Sequence, residues 1–166
     1  MILRMTPAPL LDAEHAGFVV QPGISMTVAS TGAGKLPQLG RALGCRVAPG
    51  GARVTVILPG DQLPALVAAL RASRAIAVVF SQPSTHRTIQ LKGQDAVLEP
   101  LAPEDDALCA TWAEGFVAAL APYGIDEPLV RAFLWCEPAA RVAVSFTPCA
   151  AFQQTPGPRA GAPLAA

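Results

Sequence analysis

Six short stretches with strand character, each closed off by glycine or proline, constrain this chain most. The third, "RVTVILP" (residues 53–59), is mostly β-branched. The fourth, "AIAVVFS" (75–81), is apolar on both faces and so is expected at the centre of a sheet. The fifth (88–100) opens on a clean alternation. Ile89 and Leu91 point one way; Thr88, Gln90 and Lys92 point the other. The remaining three cover residues 24–30, 39–47 and a stretch from Arg141 that breaks near Pro148. Segments this short, joined by turns such as "APGGA", predict a mainly β, α+β fold: a small six-stranded antiparallel barrel with flanking helices.

Helical patterns fill the gaps. Asp12 is placed to cap a short helix that Pro22 and Gly23 end. A second helix is expected from Asp61, with Leu63, Leu66, Val67 and Leu70 on one face. The longest follows Pro103 and three acids, which favour a helix start. Its stripe of Leu108, Trp112, Phe116 and Leu120 reads as core. A shorter helix runs over residues 128–136. The expected organisation is an N-terminal arm and helix start (1–16), one domain (17–154) and a low-complexity tail (155–166). That tail is expected to be disordered or to lie across a partner subunit.

Composition narrows the classes. Charged residues are only 14% of the chain and hydrophobic ones 52%, which points to surface hidden in an oligomer, to a compositional bias towards alanine, or to both. Net charge is zero and basic residues form no block, which argues against nucleic acid. No apolar run reaches spanning length and no signal segment precedes Asp12 and Glu14, so a cytoplasmic location is expected. Cys45, Cys109, Cys136 and Cys149 are irregularly spaced and read as free thiols. Two histidines cannot build a multi-histidine metal centre. "STGAGK" lacks the first glycine of a phosphate loop, and Pro37 blocks a following helix. No residue is marked as a nucleophile.

Two stretches carry chemistry. In "RALGCR", Gly40, Ala42 and Gly44 strip one strand face of side chains, which admits a flat ligand or another backbone. Arg41 and Arg46 lie on opposite faces of a regular strand; a bulge at Gly44 would bring them together. In "QPSTHRTIQLKG", Ser84, Thr85, His86 and Arg87 form a polar connection able to surround an anion, and Thr88, Gln90 and Lys92 extend it along a strand. His86 is the best acid–base candidate by its reference pKa; no catalytic residue is otherwise marked.

These stretches, in their order and spacing, resemble the FMN-binding split β-barrel group related to pyridoxamine 5′-phosphate oxidase. The resemblance covers about residues 17–154. It implies a homodimer with FMN at its interface, and an FMN-binding oxidoreductase acting on a small molecule. By resemblance, Arg41 and Arg46 match a basic pair that holds the phosphate and ring edge. Ile57 and Leu58 match the strand end beside the flavin. Arg87 and Thr88 match an arginine–glutamine pair, with Thr88 replacing the glutamine and Gln90 close by. The cofactor-binding set is therefore Arg41, Arg46, Leu58, Ser84, Thr85, His86, Arg87, Thr88, Gln90 and Lys92. The family's basic clamp after the third strand is replaced by "GDQLP" with Asp61, and its arginine-rich ending is missing. The alternative is a non-catalytic dimer on the same fold that binds flavin, haem or another planar ligand, or acts only as a scaffold.

Overall fold

The computed structural model describes residues 10–32, 34 and 36–164. The elements run α1 (Ala13–Val19), β1 (Ser25–Thr31), β2 (Pro37–Arg41), β3 (Gly44–Val47), β4 (Val54–Pro59), α2 (Pro64–Ser73), β5 (Ile76–Ser81), β6 (Thr88–Gly93), β7 (Val97–Glu99), α3 (Asp105–Leu120), α4 (Glu127–Leu134), β8 (Arg141–Phe146) and β9 (Ala150–Gln153). The strands form two antiparallel sheets, ordered β2-β1-β5-β6-β9 and β3-β4-β8-β7. The expected mainly antiparallel α+β fold is present, with β5 at the centre of its sheet.

Among the described residues nine strands appear where six were expected, because three bend and cross between sheets. Residues 39–47 divide at Ala42 and Leu43. There the backbone partner changes between neighbours: the Ala42 amide donates to Met26 of β1, the Leu43 amide to Ile57 of β4. Residues 88–100 divide after Gly93, where a β-carbon would strike the Phe146 ring. The last stretch divides at Pro148, as expected. Corners made by strands that change sheets are how two sheets close around one core. Alternation within each half survives the bend, so the sequence pattern runs on without marking it.

The core lies between the sheets. Val28, Val78, Phe80, Ile89 and Leu91 face Val54, Val56, Leu58, Val144 and Phe146, all essentially inaccessible. Each such side chain contributes about 1.5–3 kcal/mol of burial. In α1, Asp12 caps the helix as expected, accepting from the His15 amide at 2.8 Å. Helix α2 starts later than expected. Pro64 takes its first turn and the capping position is Leu63, so Asp61 caps nothing and stays exposed. Helix α3 buries Trp112 and Phe116, whose rings stack at 5.2 Å, and Trp112 Nε1 donates to the Ile24 carbonyl at 2.7 Å.

The C-terminal tail folds back on its own chain. The Gly161 amide donates to Gln153 and the Leu164 amide to Ala151, along β9. The described part of the tail is thus ordered against β9 rather than disordered. Polar backbone beside an open strand edge supplies the reason. No helix among the described residues is long and apolar enough to cross a membrane.

Candidate functional site

The two stretches singled out above meet on one surface, but only in part. Strand register puts Arg41, Thr27, Val79, Gln90 and Phe152 in one row across the five-stranded sheet. The next row is Leu39, Ala29, Ala77, Lys92 and Ala150. Ser25, Ser81 and Thr88 form a third. These residues alternate with the core positions Met26, Val28, Val78, Phe80, Ile89 and Leu91, so all three rows share the face away from the core. The α2 contacts at Gly40 and Ser30 fall on the opposite face. The outer face thus has a floor of small residues with Arg41 on one side and Gln90 and Lys92 on the other. Three strand spacings separate Arg41 from Gln90, about 14 Å.

Arg41 is the most constrained side chain here. Its guanidinium donates to Ser25 Oγ at 3.0 Å and lies over the rings of Phe116 (5.4 Å) and Phe133 (4.8 Å). Its Nε is buried without a partner among the described residues. Burial also pulls this group below the usual arginine pKa. Across the floor, Ser81 and Thr88 share a hydroxyl hydrogen bond at 2.8 Å, and Lys92 Nζ sits 5.0 Å from the Phe152 ring centroid. A shallow cavity of about 220 Å³ opens beside Ala29, Ala77 and Lys92.

The other expected residues are elsewhere. Arg46 belongs to the second sheet and turns towards α3, where its Nε donates to Asp105 at 2.9 Å. The sheet change at Ala42 and Leu43 separates it from Arg41, so no bulge at Gly44 unites them. Arg46 borders an apolar cavity of about 630 Å³ with Val20, Leu108 and Trp112. The small residues of "RALGCR" serve helices: Leu63, the cap of α2, occupies the space over Gly40, and Leu108 and Cys109 of α3 that over Gly44. Leu58 is wholly buried in the core and offers a ligand no surface.

Ser84, Thr85 and His86 lie in an exposed turn. Its polar side chains mostly hold the turn itself: Thr85 Oγ1 donates to Gln82 Oε1 and receives the Arg87 amide, while Thr88 Oγ1 donates to the His86 carbonyl. His86 has φ +59°, the left-handed conformation that lets this connection close. Its ring has no partner among the described residues. Arg87 points away from the outer face, paired with Glu14 at 2.8 Å over the Phe18 ring. Sequence reading missed Thr27, Ser25 and Phe152, because only strand register places them beside Gln90 and Arg41. Of "TGAGK", Ala33 and Lys35 lie outside the described residues.

No family model and no curated protein matches the chain. Solved structures do. HupZ of Group A Streptococcus aligns over 91% of this chain and 100% of its own, at TM-score 0.54 and 11% identity. A candidate pyridoxamine 5′-phosphate oxidase from Lactobacillus delbrueckii aligns over 86% and 93%, at TM-score 0.51 and 14% identity. The fold is that of the pyridoxamine 5′-phosphate oxidase-like proteins. At such identities the likeness extends to this fold and its topology, and the fold by itself does not carry an activity.

Proposed function

We propose that the outer face of the five-stranded sheet binds FMN between two copies of the chain, and that the protein is an oxidoreductase-like flavoprotein acting on a small molecule. The observation that carries this reading is Arg41: a cation on the open face with a buried, unpartnered Nε, in register with Gln90. The side chains present fit a flat, electron-rich ring with an anionic tail. Thr27, Ala29 and Ala77 keep the floor low. Thr88, Gln90 and Lys92 offer donors to ring oxygens and nitrogens. Arg41 is the cation left for a phosphate, since Arg46 and Arg87 already face carboxylates. Bound flavin would supply the electron chemistry; the chain orients it and shields it from water.

A second copy supplies the missing roof. Beside Arg41 the chain exposes Leu39 and Phe133 to about 60%, and Leu36, Leu129 and Trp135 are still more than half exposed. Monomeric proteins rarely leave a large apolar patch uncovered. Such contacts agree with the homodimer that the sequence resemblance implies.

Purification tests the reading. A yellow protein that releases FMN on denaturation is the expected result, and Arg41→Ala should weaken binding by about 1.5–3 kcal/mol. Colourless protein with no affinity for added FMN would overturn it. A non-catalytic role on the same face is the second reading. It is favoured by the His86 ring, which no neighbour among the described residues orients as an acid or base. Reduction of bound flavin by NAD(P)H separates the two.

A further inference from the structure

On the other side of the sheet from the proposed flavin face lies a cavity of about 430 Å³, between α1, the start of β6, β9 and the returning tail. Its walls carry Glu14, His15, Arg87, Gln153 and Arg159, with Leu164 closing one side. We propose that this cavity is a binding site for a small dianion, with the oxyanion chemistry shared by phosphate monoesters and dicarboxylates.

A guanidinium has five N–H donors and no acceptor. Arg87 uses one nitrogen on Glu14 and packs over Phe18, which fixes the group and leaves further donors free. Arg159 makes no side-chain hydrogen bond or ion pair among the described residues, although it reaches the same cavity from the tail. Gln153 also lines the cavity, and its amide nitrogen, a donor, makes no hydrogen bond among the described residues. His15 is tethered to Asp12 at 2.8 Å. Glu14, the one carboxylate of the lining among the described residues, is already answered by Arg87.

Donors therefore outnumber acceptors, and two arginines from separate elements meet one space. The arginine fork suits paired oxygens. Two forks on different walls favour a doubly charged ligand over a single carboxylate. Arg87 and Gln153 belong here by alternation: Gln153 stands opposite Ile89, whereas Gln90 and Phe152 stand on the outer face. The site is thus independent of flavin binding.

The test is calorimetric titration of the purified full chain at low salt with inorganic phosphate, succinate and acetate. One-to-one binding of phosphate or succinate, at least tenfold tighter than acetate, is expected. Whichever of the two binds tighter names the ligand source. Arg159→Ala and Arg87→Ala should each weaken binding at least tenfold, while Arg71→Ala, on the exposed side of α2, leaves it unchanged. Arg159 is exposed in the tail, so its variant reports on the site even where Arg87→Ala fails to fold. No binding of either dianion, or equal loss in the Arg71 variant, overturns the proposal.

Discussion

Arg46 on β3 donates from Nε to Asp105 on α3 at 2.9 Å, and Asp105 has no solvent exposure. The second carboxylate oxygen accepts the Ala102 amide at 2.8 Å. This pair ties the start of the longest helix to the second sheet. Removing one partner of a buried pair strands the other. Arg46→Ala should therefore cost about 3 kcal/mol in urea unfolding. Asp105→Asn, which keeps an acceptor for Ala102, should cost less. If instead Arg46→Ala leaves stability intact and abolishes FMN binding, the pair is not structural.

Burial pushes the Cys45 thiol up to about 12 and the Cys109 thiol up to about 11. In the unfolded chain both ionise near 9. Above that pH the unfolded state loses protons that the folded state keeps. Stability is thus full below pH 9 and falls as pH rises towards 11–12. Each thiol contributes a slope of about 1.4 kcal/mol per pH unit. Denaturation curves from pH 8 upward should show this loss, and Cys45→Ala should flatten it.

Among the cysteines only Cys149 is exposed; Cys45, Cys109 and Cys136 are buried. A thiol reagent at neutral pH should label one site in the native protein and four after denaturation. Fast labelling of a second thiol in the native state would contradict this packing.

Gly115 lies inside α3, where glycine costs about 1 kcal/mol against alanine. The reason is Gly23 (φ +85°). A β-carbon on Gly115 would stand 2.5 Å from Pro22 Cβ and 2.7 Å from the Gly23 nitrogen. Gly115→Ala should consequently destabilise the protein by about 1–3 kcal/mol despite its better helix propensity. A rise in melting temperature would disprove the contact.

Phe133 stacks on Arg41 while exposing 62% of its surface. On the proposed homodimer, Phe133→Asp should shift dimer to monomer in light scattering and weaken FMN binding as a consequence. A variant that stays dimeric places the interface elsewhere.

The sequence was most legible where one residue's neighbours along the chain decide its state. Asp12 caps α1 because its carboxylate reaches an amide three residues on. Thr88, Gln90 and Lys92 share a face because strands alternate. Asp61 misled because Pro64, three residues later, is the stronger start signal. "RALGCR" misled more deeply. Its arginines look like one site five residues apart, but the strand between them leaves one sheet for the other.

By itself, then, the sequence determined the antiparallel α+β class, the polar stripe on β6 and the break at Pro148, all of which rest on local periodicity and backbone chemistry. Only the tertiary structure decided which cations remain free. Asp105 lies 59 residues from Arg46, and Glu14 lies 73 from Arg87. Pairings at that range depend on where the helices land against the sheets, which no local pattern encodes. That packing leaves Arg41 for the open face and places Arg87 beside Arg159 on the other side of the sheet.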